Sequence, residues 1–378
     1  METRRIIRLV DRTRITVDWK CKRSRFLGYE LRGIGVTKAT TSLPLFTGIV
    51  VHDALAAIAT FTRDKQPVPI DEIAEAAFHQ VHDSIFGSTS GVSLEDAEEF
   101  ASEQASLTEG MIRGFYKHVW PRLLTLYPKI VAIEQEVQYQ LGPGYMFMAK
   151  PDLLMEDLDG NIYYIEYKTT SSKKDTWIHS WETAVQLHSS VKAVEQTLGI
   201  LPTAVQIIGL YKGYESYGKQ SSPFCYAYTK KGNPPFTQDQ VSYEYRAGLK
   251  RSPTWQMAGG VKAWIEGMPE NLLADQFPMT APIFINESLV KSFFDQTLIR
   301  EAEIAQAMAD ISVMAGSEIE PILDQVFPQT FEACAPGWGY GCQFVSICHG
   351  GITEPLEQGF KPREPHHKLE LEQIAEDL

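Results

Sequence analysis

The sequence predicts an α/β fold, with helices in its first third and strands after Pro128. Three observations support this prediction. Apolar residues recur at helical spacing between residues 45 and 127. Short runs rich in Val, Ile and Tyr follow between residues 130 and 168. A further helix and further strands come after them, and no internal repeat is visible. This order of elements is typical of one α/β core with added helices.

The composition is that of a folded chain. Of the 378 residues, 44% are hydrophobic and 22% are charged, which excludes collagen-like, coiled-coil and mostly disordered proteins. No apolar run reaches the roughly 18–20 residues that a membrane span needs. The charged N-terminus has no apolar segment of the signal-peptide type. We therefore expect a cytoplasmic protein without a membrane partner, in which the cysteines are reduced or metal-bound.

The net charge of −13 is distributed unevenly along the chain. Residues 1–38 hold eleven Lys and Arg against four acidic residues, so this segment carries +7 and the remainder −20. A basic surface on an acidic protein predicts contact with phosphates. Lys173, Lys174, Lys230 and Lys231 are further candidates for this contact. The alternative for the N-terminal segment is a solvated arm.

The elements before Pro128 follow from apolar spacing and from helix breakers. Asp71 is a suitable N-cap for the helix that follows it, and Pro121 is expected to kink or split the helix that contains it. The predicted elements of this part are a strand within residues 5–19 that leads to Cys21, and helices at 45–58, 70–85 and 107–127.

The elements after Pro128 alternate between strands and helices. We predict a single domain over residues 1–352, with a polar, loosely held tail over residues 353–378. The predicted strands are 130–141, 145–155, 161–168, 203–211 and 224–229, and the predicted helices are 177–198, which ends at Gly199, and 287–314.

The pairing of two strands decides whether Asp152 lies close to Glu166 and Lys168. Glu166 and Lys168 are two residues apart and share one face of their strand. A two-residue turn at Asp159-Gly160 would place Asp152 opposite Tyr167, on the wrong face. A three-residue loop with Gly160 in the left-handed conformation places Asp152 opposite Glu166. We predict the three-residue loop, with the two carboxylates and the ammonium on one surface.

Two carboxylates at this distance repel each other unless a cation lies between them. Oxygen ligands of this kind suit Mg²⁺ or Mn²⁺. Such an ion polarises a phosphoryl oxygen and lowers the pKa of water, while Lys168 could orient the water or stabilise charge on a phosphate. The alternative is an ordinary surface strand that carries a Glu166–Lys168 ion pair.

Four cysteines form the second candidate site. Cys334, Cys342 and Cys348 follow the spacing C-x7-C-x5-C in a segment rich in Gly, and Cys21 lies far upstream. Four thiolates suit either an iron–sulfur cluster or tetrahedral zinc. Cys225 stands in an apolar run and is interpreted as a strand cysteine.

These motifs together resemble the PD-(D/E)XK nuclease superfamily, and in particular its RecB/AddB-like exonuclease branch. Pro151-Asp152 and Glu166-Tyr167-Lys168 match the superfamily motif, and Gly48-x-x-x-His52 resembles the helix motif of that branch. The resemblance implies a restriction-endonuclease-like core, a central mixed sheet flanked by helices. It also implies that His52, Asp152, Glu166 and the carbonyl of Tyr167 bind the metal ion and that Lys168 assists the attacking water.

Two further features are implied only by this resemblance. Gln186 corresponds in part to the Q-x-x-x-Y helix motif of the branch, although Ser190 replaces the tyrosine, and it would contact Lys168 or the nucleic acid. One upstream and three downstream cysteines resemble the iron–sulfur clasp of AddB-like and CRISPR-associated exonucleases, although the first gap is longer here. The resemblance favours a [4Fe–4S] cluster over Zn²⁺ at Cys21, Cys334, Cys342 and Cys348.

The expected function is that of a metal-dependent DNA exonuclease, acting on DNA ends or single strands in recombination, repair or phage DNA processing. A recombination or helicase partner is compatible with this function. Two alternatives remain at the level of sequence. One is a non-catalytic DNA-binding or structural subunit that keeps the fold and the cluster, and the other is a restriction-type endonuclease.

Overall fold

The computed structural model describes residues 7–39, 43–86, 94–171, 174–182, 185–212, 270–312, 319–334, 342–349 and 359–365, together with 262, 265, 266, 268, 355, 367, 369 and 370. Over these residues the chain has an α/β architecture of mixed sheets flanked by helices. The strands are β1 (Arg8–Asp11), β2 (Val36–Lys38), β3 (Lys129–Ile133), β4 (Val137–Gly142), β5 (Tyr145–Ala149), β6 (Leu153–Glu156), β7 (Ile162–Thr170), β8 (Ala204–Tyr211), β9 (Ile283–Phe284) and β10 (Phe360–Pro362). The helices are α1 (Arg12–Lys20), α2 (Lys22–Arg25), α3 (Leu43–Arg63), α4 (Ile70–Phe86), α5 (Leu94–Gly114), α6 (Trp120–Leu126), α7 (Lys174–Glu182), α8 (Val185–Leu198), α9 (Glu270–Gln276), α10 (Glu287–Ser312), α11 (Ile319–Val326), α12 (Phe331–Cys334) and α13 (Val345–His349).

A five-stranded mixed sheet with the order β3-β6-β7-β8-β9 forms the centre of this architecture. β6 pairs antiparallel with both β3 and β7, whereas β7 and β8 are parallel. Every residue of β8 is buried, as expected for a strand that is covered on both faces. The predicted α/β fold with a flanked mixed sheet is confirmed.

Helices α3 to α6 cover one face of the central sheet. Val51, Leu55 and Ile58 of α3 pack in one apolar cluster with Ile165 and Tyr167 of β7. By length and composition α3 could also cross a membrane, but these contacts are those of a core helix. A π-helical turn at residues 115–119 joins α5 to α6, with Pro121 in the first turn of α6, where a missing N–H costs little.

The other face of the central sheet packs against a second sheet of order β1-β5-β4 and against α8 and α10. Val10 of β1, Phe147 of β5 and Phe293 of α10 form this second apolar cluster with Leu154 and Tyr164 of the central sheet. The cluster therefore holds the N-terminal strand and helix α1 against the face that carries Glu166.

Three predicted strands differ from the observed ones. Residues 130–141 form β3 and β4, and residues 145–155 form β5 and β6. In each case the two halves belong to different sheets. Within the described residues 7–19 only β1 is a strand, because Asp11 caps α1 by accepting a hydrogen bond from the backbone N–H of Arg14 at 2.8 Å. The predicted strand 224–229 lies outside the described residues.

The described C-terminal residues pack against the N-terminal segment, so the prediction of a loosely held tail is wrong for residues 359–365, 367 and 370. β10 pairs antiparallel with β2. Arg363 is buried, and its backbone N–H donates to the carbonyl of Gly35 at 3.0 Å. Glu370 accepts from both Arg14 and Arg363. The polar sequence of this segment suggested an exposed tail, but its charged side chains are paired inside the protein.

Candidate metal centre

Three acidic residues occupy one row that passes the end of β3, the start of β6 and the middle of β7. The β3–β6 pairing aligns Ile133 with Leu153 and the β6–β7 pairing aligns Leu153 with Ile165. One residue further along each pairing, Glu134 is aligned with Asp152 and Asp152 with Glu166. The backbone N–H of Glu134 donates to the carbonyl of Asp152 at 3.1 Å, which continues the pairing into this row.

The hairpin that sets this row has the predicted geometry. The backbone N–H of Asp157 donates to the carbonyl of Asn161 at 3.0 Å, which leaves a three-residue loop between them. Gly160 in that loop has a φ of +84°, a conformation that favours glycine. The predicted register, with Asp152 in line with Glu166, is confirmed.

Asp152 is fixed by the backbone of the neighbouring strand. It is buried, and its Oδ2 accepts a hydrogen bond from the backbone N–H of Tyr167 at 2.6 Å. The ring of Tyr167 points into the helical core, where it meets Phe115 edge-on at 5.5 Å between ring centroids. Tyr167 therefore faces the site with its backbone, not with its side chain.

Helix α3 brings His52 to this row of acidic residues. Its Nδ1 lies 3.2 Å from Oδ1 of Asp152. Burial would lower the pKa of His52, but the adjacent carboxylate of Asp152 outweighs it and raises that pKa. Gly48 lies one turn earlier on α3, where a Cβ atom would come 3.4 Å from the hydroxyl of Thr169. The G-x-x-x-H motif thus lies on the face of α3 that packs against β7.

Glu134 completes a group that could hold a metal ion. One ligand atom from each of His52, Glu134 and Asp152 lies within 4.8 Å of the others. Burial, followed by the charge of Asp152, raises the pKa of Glu134 despite an ion pair to Lys150 at 2.6 Å.

Sequence reasoning missed Glu134. Its φ is +47°, which is uncommon for a residue other than glycine. Its alignment with Asp152 depends on the separation of β3 from β4. The available signal was an acidic residue directly after the apolar residues 130–133, within the predicted strand 130–141.

Glu166 is buried beside this group and is surrounded by donors. Its Oε1 accepts from Arg12 Nη1 at 2.9 Å and from Lys168 Nζ, and its Oε2 accepts from the hydroxyl of Tyr164. Burial alone would raise the pKa of Glu166, but the charges of Lys168 and Arg12 hold it well below its usual value. Glu166 is therefore ionised, with a half-buried ammonium and a half-buried guanidinium next to it.

Gln186 and the four lysines outside the N-terminal segment were also predicted to act at the site or on phosphates. Gln186 lies at the second position of α8 and Lys174 at the first position of α7, but their side chains lie outside the described residues. Lys173, Lys230 and Lys231 lie outside the described residues altogether.

A comparison with protein families identifies the chain. The family model of the PD-(D/E)XK nuclease superfamily matches residues 13–349. This match includes His52, Glu134 and Asp152, the Glu166–Lys168 pair and all four candidate cysteines. The chain belongs to the PD-(D/E)XK nuclease superfamily. A search of curated proteins found no match.

Membership explains the row of acidic residues in this PD-(D/E)XK protein. Members of the superfamily are nucleases that hydrolyse phosphodiester bonds with divalent metal ions, and a nuclease of this superfamily would act on DNA. The predicted superfamily is thereby confirmed. Carboxylates and an imidazole around one point are ligands for such ions.

The four cysteines of this PD-(D/E)XK protein come together although they are far apart in sequence. Cys21 is buried between α1 and α2, and the backbone N–H of Cys342 donates to the carbonyl of Cys334 at 3.0 Å. Burial is the main cause that raises the pKa of Cys348 to about 11, and the charge of Arg23 acts against it. The other three cysteines also raise this pKa. These thiols therefore share one electrostatic environment. His349, which the sequence did not single out, places its Nε2 3.7 Å from the sulfur of Cys334.

Arg14, Arg23 and Arg25 of the N-terminal segment are buried in ion pairs, so the prediction that they contact phosphates is wrong for these three residues. Arg25 is fully buried between Glu30 and Glu301. Arg23 donates to Asp324 at 2.7 Å. A buried guanidinium needs such partners because its desolvation is costly. Arg12 is the exception, since it lies half-exposed at the metal centre.

Proposed function

We propose that this PD-(D/E)XK protein is a metal-dependent DNA exonuclease that hydrolyses phosphodiester bonds at DNA ends or in single strands. The observation that supports the proposal most directly is the group of His52, Glu134 and Asp152 beside the buried pair of Glu166 and Lys168. It combines ligands for a divalent ion with a fixed ammonium next to them. Recombination, repair or phage DNA processing, with a helicase or recombination partner in the cytoplasm, is the proposed setting.

Mg²⁺ or Mn²⁺ fits the donor set of this centre. Burial, and to a lesser extent repulsion by Asp152, raises the pKa of Glu134, and a cation between the two carboxylates would remove that repulsion. His52, Glu134 and Asp152 would hold the ion, with Glu166 and the backbone of Tyr167 as further ligands. When bound, the ion polarises a phosphoryl oxygen and lowers the pKa of water.

The protein's own residues fix the geometry for this reaction. The backbone N–H of Tyr167 orients Asp152, and Asp152 in turn orients the imidazole of His52. Lys168 is held by Glu166, so its ammonium is positioned to orient water or to stabilise charge on the phosphate. Gln186 is proposed to contact Lys168 or the nucleic acid.

We further propose that Cys21, Cys334, Cys342 and Cys348 hold a [4Fe–4S] cluster. The charges of Cys21, Cys334 and Cys342 all act on the thiol of Cys348, so the four cysteines lie near one another. Four thiolates suit either an iron–sulfur cluster or tetrahedral zinc. The resemblance to exonucleases with an iron–sulfur clasp favours the cluster.

A nuclease assay tests the proposed reaction. Purified protein with Mn²⁺ should shorten 5′- or 3′-labelled linear DNA progressively and leave circular single-stranded DNA intact. Lys168→Ala should lower the rate about 10²–10³-fold, because it removes a positioned charge. Lys129→Ala is the matched control, since Lys129 also pairs with a glutamate of the central sheet, at 2.6 Å from Glu156, but lies away from the metal centre.

Two outcomes contradict the proposal. If wild type is inert on all single- and double-stranded substrates, the protein is a non-catalytic subunit. Discrete fragments from circular DNA would instead indicate a restriction-type endonuclease.

A further inference from the structure

An exposed tryptophan stands on the helix that begins at the metal centre. Trp19 of α1 is 57% exposed, which is unusual for the largest aromatic side chain. Its ring meets Phe293 edge-on at 5.8 Å between centroids, with an interplanar angle of 82°. This contact supports one edge of the indole and holds it in place.

Helical spacing connects Trp19 with the metal centre. Arg12, Thr16 and Trp19 recur at intervals of four and three residues, so they form one stripe along α1. Arg12 at the start of the stripe donates to Glu166 at 2.9 Å. Trp19 lies about 10 Å further along the helix axis, a length that corresponds to about three stacked nucleotides.

A second stripe, made of apolar side chains, leads to the metal centre along α3. Leu45 and Ile49 are 60% and 48% exposed, and they lie seven and three residues before His52 on the same side of the helix. The metal centre thus has exposed apolar or aromatic side chains on both helices that contribute to it. Phosphates alone would not be bound by such side chains.

We propose that a single strand of DNA crosses the metal centre, with one base stacked on Trp19 and others against Ile49 and Leu45. The inference rests on the proposed nuclease function and narrows its substrate. Bases in a duplex are stacked on one another, whereas unpaired bases can stack on aromatic side chains. Arg12 would contact the backbone between the metal centre and Trp19, and the exposed Lys20 would contact it beyond Trp19.

Binding without cleavage tests this inference. Fluorescence anisotropy in EDTA would measure full-length protein with a labelled 20-nucleotide single strand and with the corresponding blunt duplex. Trp19→Leu keeps apolar packing on Phe293 but removes the stacking face, so single-strand affinity should fall about tenfold. Trp19→Phe should stay within about threefold of wild type, because it keeps an aromatic face. Ile49→Ser should weaken binding by a smaller factor.

Controls separate stacking from general effects. Phe284→Leu is the matched variant, because Phe284 is 70% exposed and lies on the edge strand β9, and its affinity should equal that of wild type. Blunt-duplex affinity should be unchanged in Trp19→Leu. Wild type should bind a single strand less tightly when its one abasic position is the position that lies over Trp19. Trp19→Leu should bind strands with the abasic position there or elsewhere with equal affinity.

The results distinguish this inference from the proposed function. Equal single-strand affinity of Trp19→Leu and wild type, or an equal loss on duplex, overturns the inference even if wild type cleaves DNA with Mn²⁺. A selective single-strand loss in a protein that does not cleave DNA supports the strand path and overturns the nuclease proposal.

Discussion

The metal centre and the cysteine group are built in opposite ways. Asp152 and Glu166 come from adjacent strands of one hairpin, and Glu134 follows the strand next to them. The four cysteines come from the two ends of the chain, with Cys21 more than 300 residues from Cys334. The residues of the metal centre lie on neighbouring strands of one sheet, whereas the cysteine group brings together segments that are distant in sequence.

This difference predicts different roles. The metal centre lies on strands that are already paired and buried, so its side chains can change without loss of the fold. The cysteine group connects the segment at Cys21 to α12 and α13, where Phe26 and Phe327 share an apolar cluster with Phe344. A metal bound there would contribute directly to folding. Substitutions in the two regions should therefore separate activity from stability.

Loss of a metal ligand should give the largest effect on activity. Asp152→Asn keeps an oxygen that can accept from the backbone N–H of Tyr167 but removes the negative charge. We expect the rate of DNA cleavage to fall about 10³-fold or more, with the thermal midpoint almost unchanged. Glu156→Gln is the control, because Glu156 lies at the other end of β6. If Asp152→Asn unfolds, or if it cleaves DNA like wild type, the metal centre does not serve activity separately from stability.

Loss of a cysteine ligand should give the largest effect on stability. Protein purified without oxygen should be brown, with absorbance near ~400 nm. Cys21→Ser should lose this absorbance and melt about 10 °C lower or more, because the cluster no longer joins the chain ends. Cys225→Ser should keep both properties. Colourless wild-type protein with one zinc per chain would contradict the iron–sulfur proposal.

A buried acid outside both regions provides the smallest effect and the clearest pH dependence. Burial alone raises the pKa of Glu103 from 4.5 to about 7, and its Oε1 has no hydrogen-bond partner among the described residues. Between pH 4.5 and 7 the folded state holds a proton on Glu103 that the unfolded state has lost. The free energy of unfolding is therefore undiminished below pH 4.5 and falls as the pH rises through 7. Glu103→Gln should be about 3 kcal/mol more stable than wild type at pH 8.

Urea denaturation of Glu103→Gln and wild type between pH 4 and 8 measures this difference. The two proteins should differ least at pH 4. A constant difference across this range would show that Glu103 ionises normally.

The sequence predicted what depends on neighbouring residues. The loop at Gly160 and the alternation of side chains determine the register of Asp152 and Glu166, so this part of the site was predictable. The helix that carries His52 was also predictable from apolar spacing, because α3 packs against both its neighbouring helices and the sheet.

What the sequence could not show depends on distant partners. Arg23 and Arg25 pair with residues more than 270 positions away, so they were mistaken for a phosphate-binding surface. Glu370 and Arg363 were assigned to a loose tail for the same reason. Glu134 was missed because β3 and β4 belong to different sheets, which no local pattern reveals.

Calorimetric titration of the protein with Mn²⁺ measures directly whether the three residues bind a metal ion. We expect Mn²⁺ to bind at His52, Glu134 and Asp152. Asp152→Asn and Glu134→Gln should each lose that binding, while Glu156→Gln should keep it. Equal Mn²⁺ binding by wild type and both ligand variants would contradict the claim that these residues form the metal centre.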